Sequence, residues 1–231
     1  MTQPALRGDH GQVKFSLVPV RVVGVLIVAI LALTSCSVVT TTGATCTESR
    51  TVSGFNKVEV AGSGDVTIDQ TGSESLTIEA RDKVLPNLTS DVVGDTLVLG
   101  TKRGAVLPPG GRISYHLSVK DLTGLTVSGS GGVTAPQITA DALSCDISGS
   151  GTITVGGTVP EQELTISGSG SYEAGGLAGE TLRADISGSG NAVVSVSETL
   201  DVTISGSGSP THTDDPTVQK NISGSGSVTK R

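Results

Sequence analysis

Ser-Gly-Ser-Gly occurs six times in the second half of this 231-residue chain, beginning at Ser128, Ser148, Ser167, Ser187, Ser205 and Ser223. The spacings are 20, 19, 20, 18 and 18 residues. A unit this short cannot enclose a core of its own, so consecutive units have to stack and share one. The expected fold is all-β: a parallel β-helix, or solenoid, with one coil of 18–20 residues per repeat. Strand-crossover chirality favours right-handed winding.

Aligning the repeats on one another separates inside from outside. Immediately before each Ser-Gly-Ser-Gly stand Val127, Ile147, Ile166, Ile186, Ile204 and Ile222, and two residues earlier stand Leu125, Cys145, Leu164, Ala184, Val202 and Lys220. A separation of two puts both columns on one face of a strand, which must be the inner one. The residues between them, Thr126, Asp146, Thr165, Asp185, Thr203 and Asn221, then point outward and form a candidate interaction face. After the glycines a second strand begins, with Val133, Ile153, Tyr172, Ala192, Pro210 and Val228 inward. The glycines are read as bend residues with φ values that a Cβ forbids. Lys220, Asp214-Asp215-Pro216 and the closing Lys230-Arg231 put charge and proline on the last coil, which protects its open edge and suits a monomer.

Residues 51 to about 120 alternate like strands but lack the short period, as in Val58, Val60, Val66 and Ile68 or Ile113 to Val119. This N-terminal half is expected to form wider, less regular coils or a small sheet covering one end of the solenoid. The β-helical domain is placed at 51–231, and 36–50, rich in Thr and Ser, is expected to be a polar tether.

Residues 1–35 have the pattern of an export leader. Arg7, Lys14 and Arg21 precede an apolar run from Val22 to Leu33, short for a membrane span and suited to a signal peptide. Leu33-Thr34-Ser35-Cys36 resembles the bacterial lipobox, in which the cysteine receives a diacylglycerol thioether before the leader is removed. Cys36 is therefore the expected lipidation site, and the protein is expected in the cell envelope, attached to a membrane through that lipid. The alternatives are an ordinary secretory signal and an uncleaved anchor. Without residues 1–35 the chain keeps 12 Lys and Arg against 21 Asp and Glu, a net charge of −9, which argues against nucleic-acid partners. Cys145 falls in an inward column, where a free thiol packs as an apolar group, although a bridge to Cys46 is the alternative outside the cell.

Motifs that carry chemistry are sparse. The corners lack the Asp of calcium-binding nonapeptide repeats, and neither His116 nor His212 has Cys or His at ligand spacing, so no metal and no cofactor is expected. Asp146 and Asp185 share a column two coils apart, roughly 9–10 Å, with Thr165 between them. A polysaccharide-acting enzyme would need converged carboxylates and an exposed Tyr115 or Tyr172 beside them. Thr126, Thr165 and Thr203 raise an ice-binding or coating surface, but Asp146, Asp185 and Asn221 interrupt it.

Several segments carry a family resemblance: Gly54-Phe55-Asn56-Lys57-Val58-Glu59-Val60, Gly64-Asp65-Val66-Thr67-Ile68, Gly94-Asp95-Thr96-Leu97-Val98-Leu99, Leu122-Thr123-Gly124-Leu125-Thr126-Val127 and the repeated Ser-Gly-Ser-Gly. Together they resemble the auto-transporter adhesin head GIN domain family over about residues 51–231. Ser63-Gly64-Asp65 stands where the family has Gly-Ile-Asn. The resemblance implies an exported or surface β-helical domain. The leading expectation is thus a lipid-anchored, non-catalytic module that adheres to a glycan or protein ligand on a cell surface, the alternatives being the enzyme and a structural or ice-binding solenoid.

Overall fold

The structure, a computed structural model, describes residues 33–35, 44–107 and 111–231. Their secondary structure is nearly all strand, relieved by one short 3-10 turn at Leu85–Asn87. From Gly124 onward the chain winds as a solenoid of about five turns between the first and last corner.

Each coil has a long strand leading into the corner and a shorter one leaving it. Gly124–Gly129, Ala142–Gly149 and Glu161–Gly168 are long strands of successive coils, paired in parallel, with Thr165 opposite Asp146 and Asp146 opposite Thr126. The series continues through the C-terminal parts of Ser171–Gly188 and Asn191–Gly206 to Thr217–Gly224. A second ladder joins Gly132–Thr139, Thr152–Thr158 and the starts of the next two strands. Short return segments such as Ile138-Thr139 and Gly157-Thr158 also pair coil to coil.

The two inward columns of the long strand are buried as expected. Val127, Ile147, Ile166, Ile186 and Ile204 and their neighbours Leu125, Cys145, Leu164, Ala184 and Val202 are all essentially inaccessible. Burying one such Ile or Leu contributes roughly 1.5–3 kcal/mol. Tyr172 fills its inward position at 1 % exposure. The last coil has nothing above it, so Ile222 and Val228 are only half-buried and Lys220 is exposed at its register position opposite Val202.

The two glycines of each corner serve different ends. Gly168 has φ of +128°, a left-handed value, and a Cβ there would lie 2.5 Å from the Gly149 carbonyl oxygen of the coil below. Gly170 has no such dihedral. A Cβ on it would lie 2.4 Å from Ile147 Cγ2 and 2.7 Å from the Gly151 oxygen, so it is required for close approach between coils rather than for the bend. Coil-to-coil hydrogen bonds at the corner come from backbone N–H groups: Ser169 donates to Gly149 O (2.8 Å) and Ser171 to Gly151 O (3.0 Å). The serine side chains face solvent.

The N-terminal half builds two further layers and a lid. Lys57–Gly62 and Asp65–Gln70 pair with Gly124–Gly129 and Gly132–Thr139, so Ala61-Gly62-Ser63-Gly64 is a corner in register with the repeats. Beneath that layer lie Thr96–Thr101 and Ser114–Val119, also parallel. The order of stacking is therefore not the order of the chain, because the layer begun at Lys57 sits between the one begun at Thr96 and the one begun at Gly124. Below Thr96–Thr101 and Ser114–Val119 the direction reverses: Leu88–Val93 and Ser75–Arg81 pair antiparallel, and Thr45–Arg50 adds antiparallel to Ser75–Arg81.

That last strand corrects the extent of the expected tether. Residues 45–50 belong to the folded domain, because Cys46 turns inward at 3 % exposure and Arg50 reaches back into it. Arg50 pairs with Glu48 at 2.9 Å and donates to Leu85 O (3.2 Å), Leu88 O (3.0 Å) and Ser90 Oγ (3.0 Å). Leu33–Ser35, at the end of the expected leader, pairs antiparallel with Thr47–Ser49. Cys36 and the rest of the leader lie outside the described residues. Cys145 is free and buried, so it does not bridge to Cys46.

Candidate interaction surface

The parallel register turns single outward residues into continuous rows. Thr126, Asp146, Thr165, Asp185, Thr203 and Asn221 are in consecutive register along the long strands, the first five half-buried between their neighbours and Asn221 exposed on the last coil. The adjacent outward row runs Ser144, Glu163, Arg183, Asp201 and Gln219. Arg183 thus sits one coil, about 4.8 Å, from both Glu163 and Asp201. It also approaches Asp185 to 3.5 Å.

The strand after the corner presents another chemistry. Its outward rows hold Thr134, Thr154, Glu173 and Val193, and Gly132, Thr152, Ser171 and Asn191. Between the two faces runs a ridge of exposed corner serines, Ser148 and Ser150, Ser167 and Ser169, Ser187 and Ser189 among them. Charge is divided along the chain rather than between these faces. From Asp121 to Gln219 the chain has twelve acidic residues and one basic residue, Arg183, whereas the last twelve residues add three basic ones and no acid.

A groove of about 960 Å³ lies along the seam where return segments turn into long strands. It extends from Asp121–Thr123 to Thr199–Asp201, and so across five coils. Its walls include Ala140, Ala142, Leu143, Pro160 and Leu182, and its polar lining includes Asp121, Asp141, Glu161, Glu163 and Asp201 with Arg183. Gln162, only 6 % exposed, is held in its wall by donating to Val159 O (3.3 Å) and accepting from Tyr172 Oη (3.3 Å). Burial pushes the Tyr172 phenol well above its ordinary range, and it pushes the adjoining Cys145 thiol up to about 12. Both are locked, neutral core groups.

None of the six residues of the candidate face lines this groove. The alternation that located the face is a local property of one strand, while the groove is made where loops of different coils meet. A signal for it was nonetheless present: twelve acids against one base over residues 121–219 is a local imbalance that the overall charge conceals.

The demands of a sugar-processing enzyme are only half met. Carboxylates do line a groove, spread along its length, but Tyr115 and Tyr172 are 3 % and 1 % exposed and offer no ring for stacking on a sugar. His212 is buried with Nδ1 2.9 Å from Asp214 O, and among the described residues no group of three or more His, Cys, Asp or Glu side chains could hold a metal ion.

Several solved structures share this fold, among them the following three. A "putative adhesin" of Bacteroides fragilis NCTC 9343 is 22 % identical with a TM-score of 0.67, over 81 % of this chain and 97 % of that one. A "putative adhesin" of Parabacteroides distasonis ATCC 8503 is 23 % identical with a TM-score of 0.55, over 82 % and 98 %. A "putative lipid binding protein" of the same organism is 24 % identical with a TM-score of 0.55, over 81 % and 96 %. No curated protein matches the chain. The sequence pattern of the family described as "Putative auto-transporter adhesin, head GIN domain" matches residues 54–216, more than two thirds of the chain, and the protein belongs to that family.

Proposed function

We propose that this protein is exported, is held at a membrane surface by lipid on Cys36, and presents its rod as a non-catalytic adhesion module. The observation that carries this reading is the arrangement of outward polar residues in rigid rows, in a chain that belongs to an adhesin-like family. A row fixed by backbone pairing needs no ordering when it meets a ligand, which removes part of the entropic cost of binding. The row Thr126, Asp146, Thr165, Asp185, Thr203 and Asn221 is the proposed contact face, with a glycan or a protein on a cell surface as its ligand and the monomer as its working form. Attachment is assigned to the lipid on the strength of the Leu33-Thr34-Ser35-Cys36 pattern that follows the apolar run; among the described residues no helix is long and apolar enough to cross a membrane.

The anchor is tested by fractionating cells that express the full chain or its Cys36→Ala variant, with labelled palmitate supplied. Label in the membrane fraction, lost in the variant, is expected. Recovery of Cys36 in a disulfide with Cys46 overturns the lipid anchor. Adhesion is tested by applying the purified protein to immobilised glycans, peptidoglycan fragments and matrix proteins. A saturable ligand lost in Asp146→Asn/Asp185→Asn supports the assigned face, and binding that survives in that variant moves it elsewhere on the rod.

A further inference from the structure

We propose that the groove along the return seam docks an extended, cationic polypeptide segment. This rests on the surface-interaction reading above and assigns it a second contact region and a partner class.

Shape, walls and charge agree on this occupant. Five coils are separated by four spacings of about 4.8 Å, so the groove is about 19 Å long, the length of roughly six residues of extended chain. Ala140, Ala142 and Pro160 give apolar walls to side chains that turn inward. Asp121, Asp141, Glu161, Glu163 and Asp201 are spread along the groove, with Arg183 the one base in its lining. Lysine and arginine side chains suit such a site, because their apolar stems lie on the walls while their charged ends reach carboxylates. Nucleic acid and anionic lipid are repelled by the same charges. A cationic polysaccharide fits less well. Sugar rings are gripped by aromatic stacking, and Phe55, Tyr115 and Tyr172, the aromatic residues between 44 and 231, are all buried.

The acids outside the groove provide a control. Asp69, Asp91 and Glu173 are exposed acids outside its lining and outside the proposed contact face, and their removal changes net charge as much as the loss of three groove acids. A contact made by the groove distinguishes the two sets, whereas attraction to the general field of the rod does not.

The experiment measures binding of a fluorescent decapeptide of alternating lysine and leucine to the purified full chain by anisotropy, at low and at physiological salt. The comparison is between Glu161→Gln/Glu163→Gln/Asp201→Asn and the charge-matched control Asp69→Asn/Asp91→Asn/Glu173→Gln. A loss of tenfold or more in the groove variant, less than threefold in the control, and a loss in Ala142→Tyr, which narrows the groove without changing charge, are expected. Circular dichroism of each variant confirms that the solenoid is intact. Equal losses in the groove variant and the control, no binding at low salt, or binding of chitosan oligomers in preference to the peptide each overturn the proposal. Cell adhesion that persists in the groove variant, with peptide binding lost, leaves the adhesion face standing and the groove as a separate site. A chain that binds the peptide through the groove but never reaches the cell surface overturns the proposed function alone.

Discussion

At the scale of single residues, burial and hydrogen bonding decide which groups are chemically available. Cys145 is 1 % exposed and its thiol pKa is pushed up to about 12 by desolvation, so almost none of it is thiolate at neutral pH. It is expected to resist a disulfide-exchange reagent in the native protein and to react within the unfolding transition, as a stopped titration in rising denaturant would show. Glu74 is the opposite case. It accepts from Lys120 Nζ (2.7 Å) and from the backbone N–H groups of Gly54 (2.8 Å) and Phe55 (3.4 Å), which tie the turn preceding Ser75–Arg81 to the segments that lead into Lys57–Gly62 and out of Ser114–Val119. The Lys120 hydrogen bond holds its carboxyl below the ordinary 4.5. Its stabilising contribution is therefore complete above about pH 4.5 and is lost as pH falls through the lower, folded value. Denaturant midpoints measured from pH 7 to pH 3 should fall more steeply in the wild type than in Glu74→Gln.

At the scale of the element, the corner illustrates how far repetition in a sequence identifies cause. Serine and glycine recur together, yet their roles are separable. Gly168→Ala would need a Cβ at a left-handed dihedral and 2.5 Å from a carbonyl oxygen, and is expected to destabilise the fold by about 2 kcal/mol or more. Ser167→Ala removes an exposed hydroxyl and should change stability by less than about 0.5 kcal/mol. Denaturant melts of the two variants make the comparison. The repeat told where the bends are, but which glycine bends and which one merely admits the next coil depends on contacts between residues some 20 positions apart. The same holds for Cys46 and Arg50. Their segment has no sustained apolar period, so it resembles a tether until Ser75–Arg81 is present to pair with it.

At the scale of the whole molecule, the solenoid is a stack whose stability is distributed by neighbours. Central coils are covered on both sides, the N-terminal end is closed by antiparallel strands, and the last coil is open, with Ile222 and Val228 half-buried. Terminal units of such stacks open first. In hydrogen exchange, the amides of Thr217–Gly224 are expected to exchange fastest among the long strands, and those of Glu161–Gly168 among the slowest. Uniform protection across all coils would show instead that the rod opens as one unit.

Periodicity by itself determined much of this protein. The 18–20-residue repeat implied a β-solenoid, the alternation around Ile147 and Ile166 assigned inside and outside correctly, and the burial of Tyr172 followed from its place in a column. These features are legible because strand alternation and coil stacking are local rules that act identically in every repeat. Tertiary structure alone decided the inserted layer at Lys57–Gln70, the antiparallel lid, the second glycine's role and the groove. Each of these arises where segments distant in the chain meet without sharing a period, and only the folded coils bring Asp121, Glu161 and Asp201 to one seam.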